Sequence, residues 1–440
     1  VKVGVVTTSY PRFVDDPAGN FVGEHVAALR NLGHDVQVIA AADTATDAAN
    51  GGATERSRAL DHERVVRIPS GGLFYTGGAP DLLERAPSYA AAAAKFSARL
   101  AAAIALRSWR WDTIVAHWLA PSALACSLAA RRTPILAIAH GGDVHTLQRL
   151  GLLAPSLDRL RARGVQLVFV SEQLRSIALD AAPHLASWLG EARVQPMGID
   201  LARFAAIPRR PTPLPTIVIA ARLVPIKGVD VAIEALAHLR TRVRLAIAGD
   251  GPERPALRRA AAQHAPVFDL AEIAERVAKS PQRGSLGDEE PESDHARIAS
   301  ILEGYDPRRH GATIAVVTKG LDLDACSQVE MFGALDTRAR DRLLSRASVV
   351  VVPSRTIAGR DEGTPLIALE ALAAGIPVIA SDVGGLRSLR GVVRAPPDHP
   401  AALADAIDRV LAAPPSPATL RESVAHLDWH RVIRTLVRSG

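Results

Sequence analysis

The sequence predicts an α/β protein built of two doubly wound domains. Short apolar runs of four to six residues recur without strict alternation, which suits parallel strands covered on both faces. Helical stretches separate most of these runs, the pattern of an open sheet with helices on each side. The alternation stops once, at a proline-rich stretch, and then restarts, and a chain of 440 residues is long for a single core.

In the first half the strand candidates are Val3–Thr8, Val36–Ala40, Val65–Ile68, Thr113–His117, Ile135–His140, Gln166–Ser171 and Arg193–Pro196. Ile207-Pro208-Arg209-Arg210-Pro211-Thr212-Pro213-Leu214-Pro215 follows, and neither a helix nor an inner strand accepts so many prolines. It is read as an interdomain linker. Strands resume at Thr216–Ala221, Arg244–Ala248, Val329–Phe332, Val349–Pro353 and Val378–Ser381. The expected plan is a first domain over 1–206, a linker over 207–215, a second domain over 216–415 and a closing segment over 416–440. Residues 266–328 interrupt the second domain. They hold an amphipathic stretch (Leu270–Ala278), an acidic run (Asp288–Asp294) expected to be disordered, a helical stretch (Ala296–Leu302) and a strand-like Ala312–Thr318. Long surface insertions add little loop entropy, so a tolerated excursion is favoured over a subdomain for a partner or acceptor.

Composition narrows the class. Apolar residues make up 48% of the chain, enough for a full core in each domain. The two cysteines, Cys126 and Cys326, are far apart and lack metal-ligand spacing, so no disulfide framework is expected and a reducing cytosol is the expected compartment. The chain opens on strand-like Val1-Lys2-Val3-Gly4-Val5-Val6, so no signal peptide is expected. No run of 18 apolar residues occurs, so no transmembrane helix is expected. The net charge is +6, with the basic residues scattered and not interleaved with aromatics, which argues against nucleic acid as a partner. The stretch Ala90–Arg110, with Lys95, Arg99, Arg107, Arg110 and the pair Trp109 and Trp111, is a candidate for peripheral contact with an anionic membrane. An Ala-rich helix packed on its own sheet is the competing and favoured reading.

The chemistry-bearing residues gather where strands end, which is where ligands bind in open α/β sheets. Asp361-Glu362-Gly363-Thr364-Pro365 leads into Leu366-Ile367-Ala368-Leu369-Glu370 just after the apolar run Val349–Val352. Thr364 reads as an N-cap and Pro365 as the first helical residue. Free N–H groups at Gly363 and Thr364 plus the positive end of a helix make an anion site. Glu362 stands at its mouth and Glu370 lies ~9 Å along the helix at 1.5 Å per residue. That span suits a diphosphate with a sugar on one side and a ribose on the other. Arg222 and Lys227 follow the first strand of the second domain, a guanidinium and an ammonium suited to phosphate. Gly249-Asp250-Gly251-Pro252 is a turn by its chemistry, with backbone shape as its expected role. In the first domain, Gly19 opens a helix after the loop Thr7–Ala18, and His140-Gly141-Gly142-Asp143 ends a strand. No Gly-x-Gly-x-x-Gly follows the first strand, which argues against a nicotinamide or flavin enzyme.

Glu362-Gly363-Thr364-Pro365 followed by Glu370-Ala371-Leu372-Ala373-Ala374-Gly375-Ile376-Pro377 resembles the C-terminal motif of family-four retaining glycosyltransferases, the group 1 glycosyl transferases with the GT-B fold. The likeness extends along the chain apart from residues 266–328. It implies two Rossmann-like domains facing a cleft, with the terminal helix, here Leu420–Ser439 with Trp429, crossing back to the first domain. It also implies that Arg222 and Lys227 bind the donor diphosphate and stabilise it as it leaves. By the same resemblance Glu362 contacts the sugar hydroxyls, Glu370 the ribose, His140 the donor sugar, Gly19 the phosphate, and Gly251 lies near the base. The implied reaction moves a sugar with retention from a nucleotide-diphosphate sugar to a saccharide or lipid-linked acceptor, in cell-envelope glycan synthesis, at the inner face of a membrane. No cofactor and no metal are expected, because fixed cations take the metal's place. Asp322-Leu323-Asp324 matches the Asp-x-Asp metal motif of the other glycosyltransferase fold, but in the wrong surroundings. Three alternatives remain: a sugar-nucleotide epimerase of the same plan, a glucan phosphorylase or synthase, and a non-catalytic nucleotide-sugar binder whose insertion recruits partners.

Overall fold

The computed structural model describes residues 1–13, 16, 18–42, 64–75, 88–210, 212–270, 327–357, 359 and 361–437. The chain divides into two compact units, Val1–Asp200 with Leu427–Gly440, and Leu201–His426. The proline-rich stretch after Ile207 belongs to the second unit.

The first unit is a seven-stranded parallel sheet of β1 (Lys2–Val6), β2 (Asp35–Ala42), β3 (Val65–Pro69), β4 (Thr113–His117), β5 (Ile135–Ala139), β6 (Gln166–Phe169) and β7 (Arg193–Val194). Its order is β3-β2-β1-β4-β5-β6-β7, so the chain reverses direction of travel across the sheet between β1 and β4. The strands are apolar on both faces because helices cover both. Val5 and Val6, Ile114 and Ala116, and Ala137 and Ile138 are all buried in one core. Trp429, Val432, Ile433 and Leu436 of the helix Trp429–Val437 join that core. A bridge between Ile199 and Asp428 fastens this closing segment. The helix expected over Leu420–Ser439 is therefore broken: Pro417–Val424 lies in the second unit, and a short turn precedes Trp429–Val437 in the first.

The second unit repeats the plan with β8 (Thr216–Ala220), β9 (Arg244–Ala248), β10 (Val267–Asp269), β11 (Gln328–Gly333), β12 (Val349–Val352), β13 (Val378–Ser381) and β14 (Val392–Ala395). All pairs are parallel, in the order β10-β11-β9-β8-β12-β13-β14. Arg244 and Glu330 form an ion pair of 2.9 Å on neighbouring strands, each side chain 2% exposed. Burial of the pair is tolerable because each charge cancels the other.

Two strands escape the sequence reading. β14 carries an exposed Arg394 that interrupts its apolar run, and β10 is three residues long at a sheet edge. Val267–Asp269 and Gln328 are thus sheet residues and not part of the interruption expected over 266–328. The remaining expectations there lie outside the described residues: the stretch after Leu270, the acidic run Asp288–Asp294, Ala296–Leu302, Ala312–Thr318 and Asp322–Asp324. Cys326 lies outside them as well. Cys126 is buried, and burial pushes its thiol far up, which leaves it an inert core residue.

The helix Ser88–Ala105 packs on the sheet of the first unit, the favoured of its two readings. Phe96, Leu100, Ala103 and Ile104 are buried in the sheet-covering core. By length and composition the helical stretch Tyr89–Arg110 could cross a membrane, contrary to the expectation that no such segment exists, but those four residues face the protein. Trp111, paired with Trp109 as a surface candidate, is a core residue. A Cβ on Gly4 would lie 2.2 Å from its ring, and its indole N–H donates to Gln37 at 3.1 Å. Trp109 stands 72% exposed under the Arg110 guanidinium.

Candidate active site

In the second unit, two loops meet beyond the ends of β8 and β12. Gly228 closes the turn Pro225–Lys227 at a φ of 60°. A Cβ there would stand 2.0 Å from the Pro353 carbonyl, so only glycine lets the loops approach so closely. The Arg355 N–H donates to Ile226 O at 2.9 Å across the same junction. The approach brings together two residues 135 positions apart: Lys227 Nζ lies 2.6 Å from Glu362 Oε2. Ser354 Oγ donates to the same oxygen at 3.3 Å. Arg222 is exposed on the loop that leads to Lys227. Gly251 holds that loop from behind, since a Cβ on it would lie 2.3 Å from Leu223 O. The Leu223 N–H donates to Asp250 O at 2.8 Å. Backbone shape is thus the role the geometry gives to the Gly249–Gly251 turn.

Glu362 O accepts from Gly385 N–H at 2.9 Å, and a Cβ on Gly385 would strike Gly363 at 2.7 Å. This backing fixes the peptides of Gly363 and Thr364, whose N–H groups have no partner among the described residues. The helix Leu366–Ala373 begins one residue later than the cap reading placed it. Pro365, at ψ 128°, is the N-cap, and Thr364 does not cap it. Proline supplies no side-chain acceptor; the Ala368 N–H turns back to Pro365 O at 3.1 Å, and the N–H groups of Leu366 and Ile367 have no partner among the described residues. A lysine, two open peptide N–H groups and a helix N-terminus therefore gather at the ends of β8 and β12, and this is anion-binding chemistry.

Glu370 lies deeper on that helix, with its side chain 4% exposed. Oε1 sits 3.1 Å from Arg340 Nη1, on the helix Thr337–Arg346 that follows β11. Oε2 is buried with no hydrogen-bond partner among the described residues. Burial raises the pKa of this carboxyl, while Arg340 and Arg203 pull it back down. A buried carboxylate oxygen without a donor is costly, and a ligand hydroxyl would satisfy it. Arg340 escaped the sequence reading, because nothing in the sequence couples it to a glutamate thirty residues away.

In the first unit, Gly19 caps the helix Asn20–Asn31 at φ 70°, with its Cα so close to Ser9 that a Cβ would lie 2.5 Å from that backbone. Val14, Asp15 and Pro17 of the preceding loop lie outside the described residues. His140 follows β5 and is partly exposed. Its Nε2 lies 3.0 Å from Nδ1 of His117, the last residue of β4. His117 Nε2 lies 3.1 Å from Nδ1 of His25 on the first helix. His25 stacks on Trp429 at 4.8 Å. Burial lowers all three pKa values: His25 to about 4, His140 to about 3, and His117 well below its usual value. Asp143 ties the strand ends together, accepting from the N–H of Leu119 at 2.6 Å, of Gly141 at 2.9 Å and of His140 at 3.1 Å. Burial raises its pKa against those bonds. His25, His117 and the clamp made by Asp143 were not singled out from sequence. The available signal was His117 at the end of its own strand, as His140 is at the end of the next.

A sequence model of the family described as glycosyl transferases group 1 matches residues 214–280 and 298–413. One described as a glycosyl transferase 4-like domain matches residues 18–183. The GDP-mannose-dependent alpha-(1-6)-phosphatidylinositol monomannoside mannosyltransferase of Mycolicibacterium smegmatis is 31% identical over 301 residues, covering 64% of this chain and 67% of that one. A glycogen synthase of Mycobacterium tuberculosis is 25% identical over 453 residues, covering 98% and 92%. Among solved structures, Anabaena HepE in complex with UDP and glucose superposes with a TM-score of 0.60 at 14% identity, covering 100% of this chain and 98% of that one.

Proposed function

The chain belongs to the glycosyl transferases group 1 family, and from that premise we propose that it moves a sugar, with retention, from a nucleotide-diphosphate sugar to a saccharide or lipid-linked acceptor. The observation that carries the donor reading is the meeting of Lys227 and Glu362 beside the unpartnered N–H groups of Gly363 and Thr364. A diphosphate at this place accepts from those N–H groups and from Lys227, with Arg222 on the same loop. Breaking the sugar–phosphate bond leaves negative charge on the departing diphosphate, and fixed donors stabilise that charge without reorganising. Glu362 then exchanges its ion pair with Lys227 for hydroxyls of the sugar. Glu370 Oε2 accepts a hydrogen bond from the ribose, which gives the orphaned oxygen its donor. His140 contacts the donor sugar from the first unit, and Gly19 brings a backbone N–H to the phosphate.

In this reading none of these side chains serves as a nucleophile on the sugar or as a base for the acceptor. The leaving phosphate oxygen takes the acceptor's proton on the face it departs from, and the new bond forms on that face with the configuration kept. Lys227 and Arg222 supply the positive charge that a metal would otherwise bring, so transfer proceeds without one. The names of the relatives support the donor class: one is called GDP-mannose-dependent and HepE was solved with UDP and glucose. A role in cell-envelope glycan synthesis follows the same relatives, which include putative teichuronic acid and colanic acid glycosyltransferases. Attachment to the inner face of an anionic membrane would use Trp109, Leu106 and Arg110, all exposed at the end of the Tyr89–Arg110 stretch.

The test is thermal stabilisation by UDP, GDP, ADP and their sugar conjugates on wild type and on Glu370→Ala. A ligand at 100 times its Kd adds about 2.7 kcal/mol. A shift with one base that shrinks in Glu370→Ala supports the reading, and no shift with any nucleotide refutes it.

A further inference from the structure

We propose that His117 and His25 are positioning residues that lock the ring of His140 in a single tautomer, so that its remaining nitrogen, Nδ1, presents one fixed polarity to the donor sugar. The proposal rests on the reading of His140 as a sugar contact.

The geometry is a chain of rings. Two N···N contacts of 3.0 and 3.1 Å join His140 to His117 and His117 to His25. Each uses a different nitrogen of the central ring. A contact of that length between two ring nitrogens is a hydrogen bond only if one carries a proton and the other a lone pair. Each neutral imidazole has one of each. The chain therefore has two self-consistent arrangements and no mixed one. Either all the protons point toward His140, whose Nδ1 is then an N–H donor, or all point away, and its Nδ1 is then an acceptor. A flip of His140 alone would leave two protons, or two lone pairs, facing each other in a buried site. Changing the tautomer of His140 therefore requires moving the protons of all three rings together, and of the two arrangements the chain holds one.

The surroundings keep the chain neutral and dry. His117 is fully buried and His25 is 1% exposed. Phe21 and Trp118 pack on the His140 ring at 5.1 and 5.0 Å. Trp429 covers His25, and its indole N–H faces Glu24 Oε2 at 3.5 Å. Asp143 accepts from the backbone N–H of His140 and so leaves the ring to the chain. Burial holds all three histidines below their usual pKa, so none carries the second proton that would break the alternation. The three rings do not form a metal site, since their nitrogens face one another in pairs and not a common point. Core packing alone does not account for them either. Apolar side chains would fill the space without burying the four ring nitrogens that pair along the chain.

The experiment uses the full chain with 15N-labelled histidine. Ring 15N shifts report which nitrogen of His140 is protonated, with His140→Ala supplying the assignment. Nucleotide release from UDP-glucose and GDP-mannose reports turnover, and the thermal shift with UDP and GDP reports the second unit. Wild type is expected to show one His140 tautomer from pH 6 to 8. His117→Phe should show tautomer averaging and about a tenfold lower kcat, with KM and the nucleotide-induced shift unchanged. His117→Gln keeps one donor and one acceptor in the middle of the chain, and should restore the single tautomer and most of the kcat. It also serves if the Phe variant does not fold. Averaged tautomers in wild type, or a His117→Phe protein with the wild-type tautomer and turnover, overturn the proposal. If His140→Ala turns over like wild type, the sugar-contact reading fails, and the shifts still decide whether the ring is locked.

Discussion

The two units set different electrostatics on nearly the same sheet. Around the ends of β4 and β5 the first unit gathers buried histidines held neutral and a buried Asp143 whose pKa burial raises. Around the ends of β8 and β12 the second unit gathers charges in pairs, Lys227 with Glu362 and Arg355 with Asp230. Both sheets place a first strand beside the crossover strand at the point where the chain changes direction. The fold thus provides a place for a ligand in each unit, and the side chains decide what kind. A neutral, aromatic wall suits a sugar ring and its hydroxyls. Open N–H groups with a partly buried lysine suit a diphosphate. The lesson is that the topology predicts where to look and the local protonation states predict what binds there.

Breaking the charged side should give the largest effect. Lys227→Ala removes a cation from the leaving group and is expected to lower kcat by about 10²–10³-fold, read by steady-state nucleotide release. A fall of less than fivefold would mean that Lys227 serves only to hold Glu362.

Acid should single out the first unit. A histidine whose pKa is lower when folded binds its proton more readily when unfolded. Its contribution is therefore intact above 6.5 and is lost as pH drops toward about 4, the value for His25. Between pH 7 and 5 a histidine held at about 4, as His25 is, removes about 2 kcal/mol. Denaturant melts followed by a probe in each unit should show the first unit losing stability over this range, and His25→Phe should flatten the slope. Equal losses in both units would erase the contrast.

Glu370→Ala is the third in size. It removes an acceptor with one oxygen free for ligand, and a roughly tenfold loss of nucleotide affinity is expected, about 1.4 kcal/mol. Isothermal titration would measure it, and the raised pKa of Glu370 gives the sign of its pH dependence. Binding should weaken as pH falls through that pKa, because the protonated oxygen accepts poorly. The smallest effect belongs to Trp109→Ala. The ring is exposed, so stability should change by less than about 0.5 kcal/mol, while sedimentation with anionic vesicles should fall if this surface touches a membrane.

Much of this was legible in the sequence for physical reasons that can be named. A strand buried on both faces has no choice but an apolar run, so β1, β4, β8, β9, β12 and β13 announced themselves. β10 and β14 did not, one for its length and the other for its exposed Arg394. One loop that needs glycine for close approach was readable too: Gly251 under Leu223 O lies where the sequence placed a turn, whereas Gly228 under Pro353 O was not read as one. Thr364 shows the limit, because a good capping residue next to a proline gave way by one position. Long-range pairing was not legible. Nothing local says that Arg340 meets Glu370, or that His25 and His117 line up with His140. Trp111 was misplaced for a similar reason, although Gly4 in the middle of β1 was a hint that a bulky group crosses there.

The return of Trp429, Val432, Ile433 and Leu436 to the first core has a consequence for synthesis. The ribosome finishes Asp200 long before it reaches Leu427, and the intervening residues make up the second unit. At 5–20 residues per second that interval lasts roughly 10–45 s. Throughout it the nascent first unit lacks part of its interior, with His25 uncovered where Trp429 will stack. The second unit is contiguous in sequence and can close before the first. The N-terminal unit of this chain is therefore the last to be completed, and loss of the helix Trp429–Val437 would expose an apolar seam at the helix Asn20–Asn31, roughly 400 residues upstream in sequence.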